Sequence, residues 1–343
     1  LAMTSVPRPP RTLQARVTLV ALALVLVTAG SIAGLSSWAL QADIETLVGQ
    51  QQATSVQLLA GNVEQELSSR LRALDRAASL YREALADTPA ALTAQLRRSP
   101  LLDLFNAGCF LTGIDGKPLA DSLEPPQRLG IDYRDRDYIA AALQGGRASI
   151  GQLVQGRALG EPVLAMGAPV RGPDGQVLGA LACVTNLGAP NFLDRISGSH
   201  YGRTGGFALV DVKQRLIMSG TDRSRLAQPL PPPGAQPALD RLLAGDPGAR
   251  RLQDPSGREV VAAAHPIAAQ PWVLAAFLPT EEAFEPARRM TMRVWLLAVA
   301  ASLLAGLSAW WMLRRQMAPM AQAVQALDAR SAARSEERRV GKE

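Results

Sequence analysis

Two long uncharged stretches bracket this chain and constrain it more than any other feature. No residue from Val17 to Leu40 carries a charge, and Val294 to Leu313 is a second such run. About 24 helical residues rise roughly 36 Å, enough to cross a hydrocarbon core of about 30 Å. A cleaved leader would carry an apolar stretch of only about 7 to 15 residues before a small-x-small site. Leu40, Gln41 and Ala42 make a weak site of that kind. Both runs are therefore read as spans, residues 17–40 and 294–313, with a tail of residues 1–16 before them and residues 314–343 after them.

The flanks set an orientation. Arg8, Arg11 and Arg16 precede the first run with no acidic residue, whereas Asp43 and Glu45 follow it. This places the amino terminus in the cytoplasm. Arg314 and Arg315 end the second run, although Arg288, Arg289 and Arg293 on its other side blunt that signal. Trp38, Trp295, Trp310 and Trp311 lie at span ends, where an indole favours the headgroup zone. Residues 41–290 are thus expected outside the cytoplasm.

A net charge of +6 would permit nucleic-acid binding. The arginines, however, are not gathered into a patch interleaved with aromatics, so a lipid bilayer and not a nucleic acid is the expected partner. Cys109, Cys183, His200 and His265 show no metal-ligand spacing, so no metal or cofactor is expected. Neither Gly-x-Ser-x-Gly nor His-Glu-x-x-His occurs, and no catalytic residue is assigned.

Between the runs, Val56, Leu59, Val63, Leu67, Leu71, Leu74, Ala78, Tyr81 and Leu85 recur at three- and four-residue spacing. The spacing predicts a helix over 43–87 whose stripe packs on its own domain or on a second copy. Thr88 and Pro89 read as cap and first residue of a helix to about Phe105. From Ala107 the period falls to two, with turns at Asp115-Gly116, Gly145-Gly146 and Asp174-Gly175. Pro162–Val170 and Gln176–Asn186 form the clearest hairpin. Strands follow at Gly206–Val212, Arg215–Ser219, Glu259–Pro266 and Trp272–Leu278, with a helix at Pro237–Ala244. Pro229, Pro231, Pro232 and Pro233 require a loop. The class is α+β with antiparallel sheets.

In the order of these elements the chain resembles the double Cache family of extracytoplasmic sensors, two PAS-like sheets on one long stalk helix. The resemblance rests on Asp135-Arg136-Asp137-Tyr138-Ile139 with the alanines and leucine to Leu143, on the hairpin Glu161–Leu187, and on Gly202–Asp211 as entry to the second sheet. It implies a stalk over 43–87, a distal sheet over 101–195 and a membrane-proximal sheet over 200–285. It also implies that the distal sheet holds a small-molecule ligand, with Arg136 and Tyr138 reaching its carboxylate, since a guanidinium presents parallel donors and a phenol one more. Amino-acid-binding members carry a second aromatic where this chain has Ile139, a Tyr where it has Ile131, and an Asp for the ammonium where it has Val184. An unpaired ammonium there would be costly, so the expected ligand is a small carboxylate lacking an amino group, with Thr185 and Asn186 as further neighbours. By the same resemblance Cys109 and Cys183 lie on neighbouring strands, where an oxidising compartment permits a disulfide.

The functional expectation is a membrane-bound signal-transduction receptor of the bacterial inner membrane, homodimeric, with its sensor in the periplasm. An extracytoplasmic scaffold that binds a partner protein is the alternative. Met317, Met320, Val324 and Leu327 continue at helical spacing as a HAMP-like signalling stub. A cyclase, kinase or chemotaxis output is expected beyond it, and residues 336–343 resemble a translated sequencing adaptor.

Overall fold

The computed structural model describes residues 11–312 except 247, 255, 269 and 309. The chain divides into two compact units, one of residues 45–283 and the other of residues 1–44 with 284–343. The first helix, α1 (Arg11–Ala78), contributes to both.

In the larger unit α1 supplies the spine. Val56, Val63, Leu67, Leu74 and Ala78 of the expected stripe are buried, and Leu59, Leu71 and Leu85 pack against the same core. The helix ends nine residues short of its expected limit at residue 87. Ser79 Oγ donates to Arg76 O at 2.7 Å, which competes with the helical ladder. The chain continues as two 3-10 turns, Ser79–Tyr81 and Ala84–Ala86. α2 (Pro89–Arg97) begins as its sequence predicts, with Thr88 Oγ1 accepting from Ala91 N at 3.4 Å and Pro89 in the first turn. It stops before Phe105 because Pro100 holds Ser99 extended, at ψ 132°.

Two antiparallel sheets follow, and they repeat one topology. The first contains β1 (Cys109–Gly113), β2 (Pro118–Asp121), β3 (Ser149–Ile150), β4 (Val154–Gln155), β5 (Pro162–Arg171) and β6 (Val177–Asn186). Its order is β2-β1-β6-β5-β3, with β4 also on β5, and α3 (Asp137–Leu143) crosses one face. After the short α4 (Asp194–Ser197), the second contains β7 (Gly206–Asp211), β8 (Leu216–Gly220), β9 (Arg250–Gln253), β10 (Glu259–Ile267) and β11 (Trp272–Pro279). Its order is β8-β7-β11-β10-β9, with α5 (Pro237–Leu243) before β9. In both sheets the last strand closes back on the first. One face of each meets α1, so a single core joins Val56 and Leu67 to Leu181 of the first sheet and Leu274 of the second.

Cys109 and Cys183 are disulfide-bonded and stand opposite each other on β1 and β6, with Cα atoms 4.0 Å apart. Val184 N–H donates to Gly108 O at 2.9 Å, so the adjoining cysteine pair occupies the closer, non-hydrogen-bonded position of the ladder. A short helix, α6 (Thr280–Ala283), ends this unit.

In the smaller unit, α7 (Glu285–Met312) is long and apolar enough to cross a membrane. Leu296, Leu297, Leu303 and Leu304 on it are exposed, as are Leu24, Val27, Ile32 and Leu35 in the first uncharged run. The expected tail to residue 10, the end of the second run at Leu313 and the stub over 314–343 lie outside the described residues.

Candidate ligand-binding site

Period-two alternation gives the first sheet two unlike faces. Cys109, Leu111, Leu181 and Cys183 turn toward α1, while Phe110, Val163, Ala182 and Val184 belong to a separate cluster under α3. On that second face lies a pocket between the sheet, the start of α3 and the loop after β4. Phe110, Val163 and Val184 form its apolar side, Tyr133 and Tyr138 line it, and Arg128, Arg136 and Arg157 border it. The pocket is half open: its inner volume is only about 20 Å³, room for roughly one water, and about 310 Å³ is available once the open mouth is counted.

α3 is placed here by its own first turn. Arg136 caps it in an extended conformation, φ −79° and ψ 128°. Asp137 Oδ1 accepts from Tyr138 N and its Oδ2 accepts from Gln152 N, both at 2.9 Å, pinning the helix start to the segment between β3 and β4. Two glycines let Tyr138 approach the sheet. A Cβ on Gly167 would stand 2.5 Å from the Tyr138 carbonyl oxygen, and one on Gly151 2.6 Å from its ring.

The three arginines differ in what neutralises them. Arg128 is buried and paired at 2.8 Å with the fully buried Asp121, which also accepts from Leu123, Gln127 and Arg128 backbone amides. Arg157 sits on a loop closed by Gly156 N to Glu161 O at 2.9 Å, and its guanidinium takes Asp135 in two hydrogen bonds and also donates to Asp132 O. That pairing holds the Asp135 carboxyl below its usual range. Among the described residues the Arg136 guanidinium donates only to Gln155 O, at 3.2 Å, and has no carboxylate partner. No Asp or Glu among the described residues lines the pocket. Burial pushes both phenols up in pKa, Tyr138 most, so each hydroxyl stays protonated. Neither hydroxyl has a protein hydrogen-bond partner among the described residues.

Of the residues singled out in the sequence, Arg136 and Tyr138 come together in this pocket, and Val184 lines it beside them. Thr185 and Asn186 do not join them. Thr185 follows the pocket-facing Val184 and so points to the opposite face of β6, where its hydroxyl is buried without a partner. Asn186 is spent on structure: its Oδ1 accepts from Gly188 N at 2.8 Å, and its backbone bonds the Asn106 side chain. Phe110, Arg128, Tyr133 and Arg157 were not foreseen. The glycine-bracketed basic segment Gly156-Arg157 is the local signal that could have raised the last.

A family model described as a Cache domain matches residues 36–287. The chain belongs to the double Cache family. Among solved structures, the fold of this Cache chain is similar to the ligand-binding domain of the Pseudomonas fluorescens chemoreceptor CtaA with L-alanine. That likeness has 19% identity and a TM-score of 0.53, over 67% of this chain and 96% of that one. The extracellular domain of rpHK1S-Z16 follows at 16% identity and TM-score 0.56, covering 68% and 94%. The ligand-binding domain of Mlp24 with asparagine stands at 14% and 0.53, covering 72% and 98%. No curated protein matches the chain. At these identities the likeness establishes the shared fold, with two antiparallel sheets on a long amino-terminal helix.

Proposed function

We propose that this Cache domain is the periplasmic sensor of a membrane-bound receptor, and that its first sheet binds a small carboxylate without an amino group. One observation carries the reading: Arg136 brings a guanidinium that has no ion-pair partner to a pocket that no Asp or Glu lines, among the described residues. An anion would satisfy it, with the hydroxyls of Tyr133 and Tyr138 as further donors. CtaA and Mlp24 are solved with amino acids bound. Here Val184 stands where the resemblance would put an ammonium-binding Asp, and none of the described lining residues offers a carboxylate to pair an ammonium, whose desolvation would be only partly offset by the phenol oxygens. The exposed aliphatic faces of α7 and of the first uncharged run fit lipid as their solvent. The innermost volume admits about one water, so a carboxylate would be held from the open mouth, where Arg136 borders it.

The test is calorimetry on the full chain in nanodiscs, titrated with small carboxylates, their α-amino counterparts and simple amines. Binding of plain carboxylates, weakened in Arg136→Ala by about ten- to a hundredfold as expected for hydrogen bonds to a charged group, supports the assignment. Binding confined to amines, or untouched by Arg136→Ala, refutes it. The small inner volume also favours a second reading, a partner-protein surface without a small ligand. Silence across the whole panel would shift weight to it.

A further inference from the structure

The second sheet holds a cavity of a different chemistry. It lies between the face of β7, β11 and β10 turned away from α1 and the helix α5, is open to solvent on one side, and offers about 130 Å³. Its origin is legible in the register. Ala208 on β7 is paired directly with Ala275 on β11, and Ala262 on β10 lies opposite Phe277, the next pocket-facing residue of β11. Three alanines thus occupy neighbouring positions where larger aliphatic side chains would have filled the space beneath Leu239 and Leu243 of α5. Interiors normally pack without such voids. Atoms lining one forfeit dispersion contacts that an occupant would restore.

The charges at this site are already spent. Asp222 pairs with Arg225 at 3.2 Å and Asp254 with Arg258 at 3.0 Å. The Asp254 carboxylate also accepts from Ser256 and from the Arg258 amide. Nothing here resembles the unpaired guanidinium of the first sheet, so a charged ligand would be desolvated without compensation. A sealed apolar cavity of about 150 Å³ in another protein takes up benzene, and the apolar walls of this pocket, open on one side, offer a comparable volume. We propose that the second sheet carries an independent site for a neutral apolar molecule, a single aromatic ring up to an indole in size. The site does not depend on the carboxylate reading of the first sheet.

The test is fluorine NMR of fluorobenzene added to the full chain in nanodiscs, with unlabelled indole as competitor. Probe dissolved in lipid is common to every sample and cancels in the comparison. The expected result is a saturable bound resonance that indole displaces, and that weakens at least tenfold in Ala275→Leu, whose side chain would occupy the cavity. Ala208→Leu, on a different strand, serves where the first variant does not keep the wild-type melting profile. Absence of a saturable resonance in the wild-type protein, or its survival in a folded filled variant, overturns the proposal.

Discussion

Arg128 and Arg136 border the same pocket and predict opposite phenotypes. Arg128 and Asp121 are buried together, so removing one partner strands a charge in a poorly hydrated site. Asp121→Ala should cost about 3–5 kcal/mol in urea-unfolding experiments; a loss under about 1 kcal/mol would show that the pair is solvated. Arg136→Ala should leave stability within about 1 kcal/mol of the wild type, because the half-buried guanidinium gives up a single hydrogen bond to Gln155 O, and act on ligand affinity instead. Gly167→Ala should weaken ligand binding together with stability, because the added methyl meets the Tyr138 backbone. Equal affinity in that variant would mean that Tyr138 does not need this approach. Glu282 accepts from Thr204 Oγ1 and from the Arg203 and Thr204 amides, and the Thr204 hydroxyl above all lowers its pKa from 4.5. Its ionic stabilisation is therefore complete above pH 4.5 and lost as pH falls through the lower folded value. The difference in melting temperature between wild type and Glu282→Gln should shrink on acidification, and a difference independent of pH would contradict this. Residues such as Arg136 were legible because a motif sits in one short stretch. Phe110 and Arg157 were not, because strand pairing and a distant loop bring them to the site.

At the scale of elements, caps and turns were the most readable features. Thr88-Pro89 starts a helix, and the hairpin of β5 and β6 falls within a residue or so of its predicted limits. Helix ends were less so, since Ser79 and Pro100 act through local competition that a hydrophobic stripe does not register. β9 escaped notice because Arg250-Arg251-Leu252-Gln253 has no apolar run, and β10 recruits it as an edge. The disulfide closes a loop of 74 residues between neighbouring strands. Its reduction should lower stability by about 2–4 kcal/mol, measured as a shift in urea midpoint with and without reductant. An unchanged midpoint would show that the cross-link constrains little. The stripe of α1 is spent on its own core, so a dimer seam would have to use another face. Leu47 and Leu58, both about two-thirds exposed and close to one line on the helix, are the residues for it. Leu58→Cys should cross-link between copies in membranes, and exclusive monomer under oxidant would remove that seam.

For the whole molecule, the proposed mechanism is that ligand closure of the first sheet alters α1 and the segment leading into α7. A ligand can drive this only by its difference in affinity between two arrangements. The receptor reading requires first that the Cache domain and the amino terminus lie on opposite sides of a bilayer. The direct measurement is a pair of reporters in bacteria, alkaline phosphatase fused after residue 200 and a cytoplasm-only fluorescent protein at the amino terminus. The account predicts that both are active in otherwise intact cells. A silent phosphatase with a fluorescent amino terminus would put both in the cytoplasm and contradict it.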